Sequence, residues 1–283
     1  MQTPETVFIK TEFGKIAIWD RGAGSVDSPV ILFLHGNSVC KEVFSRQFTD
    51  PSLSAYRLIA IDFPGHGETD NSSSPDQDYN ICAFARVTSA VLKKLGLDKY
   101  LVYGSSMGGH VALEMAAQSA PICGIAMSGT PPVGPGGEAM AAVFSSLPHA
   151  ALIGQAELTD EEIDTYLEHA AGAKESVPPI VKDSVKRTDH TMRPALINHW
   201  ATLDEGTDQR SVIANWPNPI AVLQGERESF FDNDYLKELK WRNLWENKIH
   251  LLPDVGHAPF LETPSCFGDH LLRFAKHCFY RNT

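Results

Sequence analysis

The stretch Tyr103-Gly104-Ser105-Ser106-Met107-Gly108-Gly109 constrains this chain more than any other. It follows a short apolar run, Tyr100 to Tyr103, and opens a run of helical spacing, Met107 to Gln118. Ser106 has glycine two residues before it and two residues after it. Where a strand turns sharply into a helix, the two backbones approach so closely that a side chain at either flanking position collides with them. The glycine pair therefore marks a strained turn that holds one hydroxyl clear of the sheet, the G-x-S-x-G elbow of a serine nucleophile. Ser105 fails the same test, because Tyr103 lies two residues before it. A plain N-cap also places serine at a helix start, but the strand on one side and the helix on the other favour the nucleophile.

Five more apolar runs repeat the pattern of strand followed by turn. Val30 to Leu34 ends at His35-Gly36, Arg57 to Ile61 at Asp62, and Ile122 to Met127 at Ser128-Gly129. Ile220 to Leu223 ends at Gln224-Gly225, and Ile249 to Leu252 at Pro253-Asp254. Short strands without alternation suit a parallel sheet covered on both faces. Helical spacing lies between several of them. Ile81 to Leu95 carries Phe84, Val87, Val91 and Leu92 and stops at Gly96, while Cys266 to Phe279 forms an amphipathic last helix. The opening VFIKTEFGKIAIWDRG reads as two short strands around Phe13-Gly14. Alternating strand and helix predicts an α/β, mostly parallel central sheet flanked by helices.

One region breaks this rhythm. Pro131 to Trp216 shows no strand pattern and opens on the Pro/Gly-rich PPVGPGG. Thr159, with Glu162 three residues on, is a capping box that starts a helix. The expected division is a core of 1–130 and 214–283, with a helical cap of 131–213 inserted between strands. An ordinary run of crossover helices is the alternative.

With 283 residues, 43% of them hydrophobic, the chain can build one large domain with an insertion. The net charge of −11 repels a phosphate backbone, so nucleic acid is not an expected partner. Apolar runs stay well short of a membrane span. The opening MQTPETVFIKTEFG carries Glu5 and Glu12 and lacks the apolar stretch of a secretory signal. Five scattered cysteines without a CxxC read as reduced thiols. These features predict a cytoplasmic enzyme, monomer or homodimer. The chain has no HxH pair, which disfavours a zinc mechanism, and no cofactor is expected.

The remaining catalytic groups follow from position. An elbow of this kind takes one oxyanion donor from the residue after the nucleophile and one from the loop after the first core strand. These are the backbone N–H groups of Met107 and Asn37, and the Asn37 side chain is also a candidate substrate contact. His35 and His66 read as structural residues of their loops. The base is His257, in Asp254-Val255-Gly256-His257-Ala258-Pro259-Phe260, just past the last core strand. That is the carboxyl edge of the sheet, where ligand sites form. The acid should fall between nucleophile and base along the chain. Glu228 occupies the fourth position of Gly225-Glu226-Arg227-Glu228, with Asp232 and Glu226 as the other carboxylates in reach. A glutamate can accept from the imidazole N–H, set its tautomer and stabilise the imidazolium.

Together the HGN loop, the DxPGHG turn, the GSSMGG elbow and the GHAPF motif resemble the α/β-hydrolase superfamily over nearly the whole chain. Ser128-Gly129-Thr130-Pro131-Pro132-Val133, Asn243-Leu244-Trp245-Glu246 and the glutamate acid narrow the resemblance to metal-independent N-acyl-homoserine lactonases of the AidH type, which act in quorum quenching. That resemblance implies a small-molecule lactone substrate and a substrate contact for Tyr166; a packing role within the cap remains the alternative for this tyrosine. The apolar residues Met140, Val143, Phe144, Leu147, Leu152 and Ile153 either enclose an acyl chain or form the cap's own core. Rival functions are a general carboxylesterase, a carbon–carbon bond hydrolase of the same fold, and a non-catalytic receptor for the signal.

Overall fold

The computed structural model describes residues 2–22, 28–144, 148–172, 177–202 and 206–280. Its centre is an eight-stranded sheet: β1 (Val7–Thr11), β2 (Gly14–Arg21), β3 (Val30–Leu34), β4 (Arg57–Ile61), β5 (Tyr100–Ser105), β6 (Ile122–Ser128), β7 (Ile220–Gly225) and β8 (His250–Leu252). The spatial order is β1-β2-β4-β3-β5-β6-β7-β8. β2 pairs antiparallel with β1 and with β4, and every pairing from β4 to β8 is parallel. All six apolar runs and the opening hairpin are therefore strands of this sheet, an α/β-hydrolase architecture.

Burial explains why these strands do not alternate. All five residues of β3 are buried. Leu32 and Leu34 face one layer, with Val102, Val111 and Met127. Ile31 and Phe33 face the other, with Leu101, Tyr103, Phe267 and Phe274. A strand covered on both sides has no solvent face to mark with polar residues. The Ile81–Lys94 helix lies on the first layer and the Pro264–Phe279 helix on the second. The Met107–Ala117 helix is buried nearly all round, from Met107 to Ala116, which places it at the centre of the molecule.

Register positions the site. The strand order reverses at β3, which has β4 on one side and β5 on the other. Leu34 pairs with Gly104, so the loop after β3 and the elbow after β5 leave the sheet at the same level. A crevice at such a switch point, beyond the carboxyl ends of the strands, is where open α/β sheets bind ligands.

Between β6 and β7 the described residues form helices, including Asp160–Ala171, Pro179–Arg187, Met192–Thr202 and Gln209–Asn215. The capping box is formed: Glu162 N–H donates to Thr159 Oγ1 at 3.2 Å, and Thr159 N–H donates to Glu162 Oε2 at 2.8 Å. The Gln209–Asn215 helix runs across the boundary expected at 213, and its Ile213 is fully buried in the core. Of the apolar residues marked in this region, Leu147 lies outside the described residues. Among the described residues, no helix is long and apolar enough to cross a membrane.

Candidate active site

Ser106 carries backbone angles of φ 52° and ψ −119°. A non-glycine residue stays there only when its surroundings over-determine it. They do so here. Ser106 N–H donates to the Ser128 carbonyl at 2.8 Å, and Thr130 Oγ1 donates to the Ser106 carbonyl at 2.9 Å. The flanking glycines meet the expected steric test. A Cβ on Gly104 would lie 2.4 Å from the Gly108 carbonyl oxygen, and one on Gly108 would lie 2.2 Å from that of Leu34. Met107 begins the helix, so its N–H has no carbonyl one turn back to bond and is free for a ligand. The helix dipole adds positive potential at the same point.

Glu228 and His257 meet across the ends of β7 and β8. His257 Nδ1 lies 2.8 Å from both oxygens of Glu228, and the Glu228 side chain is fully buried. A carboxylate only accepts, so Nδ1 carries a proton, and in the neutral imidazole Nε2 is then the nitrogen with the lone pair. Glu228 accepts further from Gln224 Nε2 at 2.8 Å and from the Ser229 and Phe230 N–H groups at 2.9 Å each. Burial pushes its carboxyl up, but the His257 ring and these donors outweigh burial and hold it below the usual glutamate range. The other carboxylates are engaged elsewhere. Asp232 caps the following helix by accepting from Asp234 N–H at 2.8 Å, and Glu226 is exposed on the surface.

Ser106 and His257 line one cavity with Gly36 and Asn37. Its walls are largely apolar: Val39, Val43, Phe144, Ile153, Phe230, Phe260 and Leu261. Tyr166 also lines it, and its hydroxyl donates to the Asn37 carbonyl at 2.6 Å. Burial pushes the Tyr166 hydroxyl up to about 12, so it stays a donor at neutral pH. The Asn37 side chain points to the 131–213 region, donating from Nδ2 to the Ile153 carbonyl at 3.0 Å. Met140 and Val143 do not line this cavity, whereas Phe144 and Ile153 do. Among the described residues no group of three or more His, Cys, Asp or Glu is gathered as a metal site.

A family model described as the alpha/beta hydrolase family matches residues 31–265, most of the chain. The chain belongs to the alpha/beta hydrolase family. Its structure superposes with a TM-score of 0.91 on a crystal structure of N-acyl homoserine lactonase AidH complexed with N-butanoyl homoserine, at 32% identity over 98% of each chain. A putative aryl esterase from Burkholderia cenocepacia is similar at TM-score 0.77, with 19% identity over 97% of this chain and 99% of that one, a likeness of fold alone. The AB hydrolase superfamily protein YisY from Bacillus subtilis is 22% identical over 87% of this chain and 91% of its own. The protein is thus an enzyme of hydrolase type.

Three supports of this hydrolase's site were missed in the sequence. Gln224 is fully buried and joins two loops, accepting from Gly129 N–H at 2.9 Å while donating to Glu228. Glu262 accepts from the Gly256 N–H at 3.1 Å and the Ala258 N–H at 3.2 Å, which braces the loop on both sides of His257. Phe230 packs edge-on against the His257 ring at 4.6 Å. The only local signal was a polar residue, Gln224, closing an otherwise apolar strand.

Two further histidines flank the site and are structural. His35 donates from Nδ1 to the Gly36 carbonyl at 2.7 Å and accepts at Nε2 from Phe63 N–H at 3.1 Å. His110 bonds Gln209 Oε1 through Nδ1 at 2.8 Å. Burial lowers each to about 4, against an ordinary value of 6.5. Below pH 6.5 the unfolded chain therefore takes up protons that the folded chain refuses, and stability falls as pH drops toward 4. Linkage gives a loss of about 2 kcal/mol for each histidine at pH 5 relative to neutral pH. Urea unfolding at pH 7.5 and pH 5 measures this, and equal stabilities at the two values contradict it. His66 is also buried, with Nδ1 3.1 Å from the Pro64 carbonyl, and it sits within an aromatic cluster with His35, Phe63 and Phe84.

Proposed function

We propose that this hydrolase opens the ring of N-acyl-homoserine lactones by serine catalysis, without metal or cofactor. The observation that carries the reading is the buried Glu228–His257 pair beside Ser106 in an apolar cavity. The 32% identity over 98% of the chain to a lactonase complexed with N-butanoyl homoserine supports the substrate class.

The mechanism follows from the atoms. His257 Nε2 takes the Ser106 proton as Oγ attacks the lactone carbonyl. The oxyanion is met by the N–H groups of Met107 and Asn37, each such donor contributing about 3 kcal/mol to the barrier reduction. The ring C–O bond then breaks, and His257 returns the proton to the departing alkoxide, which stays tethered to the acyl-enzyme. Water, deprotonated by His257, cleaves the ester and frees the N-acyl-homoserine. The tether sets a kinetic demand. Water must reach the ester before the hydroxyl closes the ring again. Residues 131–213 act as a cap: Phe144 and Ile153 close the cavity over the acyl chain, and the Tyr166 ring forms part of its wall.

Ring opening yields a carboxylic acid that ionises at neutral pH, so each turnover releases one proton. Proton release with butanoyl- to dodecanoyl-homoserine lactones, alongside p-nitrophenyl esters, tests the substrate. A kcat/KM for lactones about tenfold or more above that for esters is expected. Ester turnover without lactone opening removes the lactonase reading and leaves a carboxylesterase.

A further inference from the structure

Two adjacent residues of the loop after β3 make four hydrogen bonds to the 131–213 region. Asn37 Nδ2 donates to the Ile153 carbonyl at 3.0 Å, and the Tyr166 hydroxyl donates to the Asn37 carbonyl at 2.6 Å. Thr188 Oγ1 donates to the Ser38 carbonyl at 3.2 Å, and Arg193 Nε donates to Ser38 Oγ at 2.7 Å. These partners come from well-separated positions along the inserted segment. Ser38 is itself fully buried and left-handed, with φ 63°. A non-glycine residue holds that conformation only where neighbours impose it.

Arg193 stands out among these neighbours. It is 2% exposed, and its three hydrogen bonds all end on neutral oxygens: Ser38 Oγ, the Ala156 carbonyl at 3.1 Å and the Val185 carbonyl at 2.6 Å. Burial lowers its pKa, opposed only by Tyr166. Keeping a cation from water without a carboxylate is costly. Simple packing would be met more cheaply by an apolar side chain. What the guanidinium adds is a rigid fork with donors for three segments at once. The Ser38 hydroxyl takes one of them and donates its own proton to Asn37 Oδ1 at 2.9 Å. A chain of bonds thus runs from Arg193 through Ser38 to Asn37.

We infer that Arg193 is a positioning residue for the oxyanion hole, holding the Asn37 N–H in place through Ser38 while it fastens the cap to the same loop. This rests on the acyl-enzyme reading above, in which the Asn37 N–H is a donor. An oxyanion donor acts only at its correct distance, so loosening the loop should lower kcat and leave substrate binding largely intact.

The test compares Ser38→Ala, Arg193→Met and Arg193→Lys with the wild type. Kinetics are normalised to folded protein, and hydrogen exchange is followed over residues 35–39. Ser38→Ala and Arg193→Met are expected to lower kcat about tenfold or more, with KM changed by less than about threefold. Exchange at 35–39 should speed up. Arg193→Lys, which keeps the charge and some of the donors, should recover part of kcat. Should Arg193→Met fail to fold, Ser38→Ala and Arg193→Lys decide the question. A kcat within about twofold of wild type in Ser38→Ala, with unchanged exchange, overturns the inference. If the wild type turns over neither lactones nor esters, the proposed function fails, and exchange alone then decides whether Arg193 positions the loop.

Discussion

Ser106→Ala is expected to abolish turnover while the protein remains folded and still binds its ligand. The substitution removes one oxygen from a residue that lines the cavity. It leaves the Ser106 N–H bond to Ser128 and the Thr130 bond to the Ser106 carbonyl untouched, because both use the backbone. Those bonds and the flanking glycines hold the elbow, so alanine inherits the same conformation. With no Oγ there is no acyl-enzyme, and what survives is the small rate that the oxyanion donors and binding lend to water. The loss should be about 10⁴-fold or more in kcat. Initial rates measure it, and calorimetric titration with a lactone checks that binding persists. Near wild-type turnover in this variant ends the serine mechanism, whatever the identity of the substrate.

The second large effect is expected from Glu228→Gln. The amide fits the space but reverses the logic of the hydrogen bond. Its oxygen and nitrogen must serve four donors that now face a neutral group: His257 Nδ1, Gln224 Nε2 and the Ser229 and Phe230 N–H groups. If the amide nitrogen faces the imidazole, the proton moves to Nε2, and His257 can no longer accept from Ser106. If the oxygen faces it, the tautomer survives but the imidazolium loses its counter-charge. Either way kcat should drop about 10³- to 10⁴-fold, as replacing a triad acid by its amide does in other serine hydrolases. Glu228→Asp keeps the charge but draws it back by a methylene, and should retain more activity than the amide. An amide variant within tenfold of wild type would show that Glu228 is not the acid.

Stability adds an independent reading of the same residue. The folded-state pKa of Glu228 is depressed. Its carboxylate therefore stabilises the fold above the ordinary glutamate pKa, and that contribution disappears as pH falls through the folded value. Glu228→Gln has no such group to titrate. Its stability should change less over that acid range than that of the wild type.

The elements legible in the sequence were those set by local chemistry. Unbroken apolar runs indicated buried parallel strands, because a strand covered on both faces needs no polar side. The glycine at 104 indicated the elbow, because the Gly108 and Gly109 backbone that excludes a Cβ there lies in the same turn, whereas the Leu34 carbonyl that excludes one at Gly108 comes from β3 and is set by the sheet. The Thr159–Glu162 capping box was legible because both halves of it lie within one turn. The place of Glu228 after β7 singled it out among three nearby carboxylates, and it is the one that bonds His257.

Contacts between residues far apart in the chain were not legible. Gln224 joins Gly129 to Glu228, and nothing in the sequence separates it from any other glutamine at a strand end. Tyr166 was marked as a substrate contact by resemblance, and only the fold showed that its hydroxyl is bonded to the Asn37 carbonyl, 129 positions away. Arg193 carried no sequence signal, yet it lies buried against Ser38, 155 positions away. Sequence by itself determined the periods, turns and caps, because these arise from backbone sterics within a few residues. Which distant side chains share a hydrogen bond was decided only by tertiary packing, which brings the β3 loop, the elbow and the 131–213 helices to one edge of the sheet.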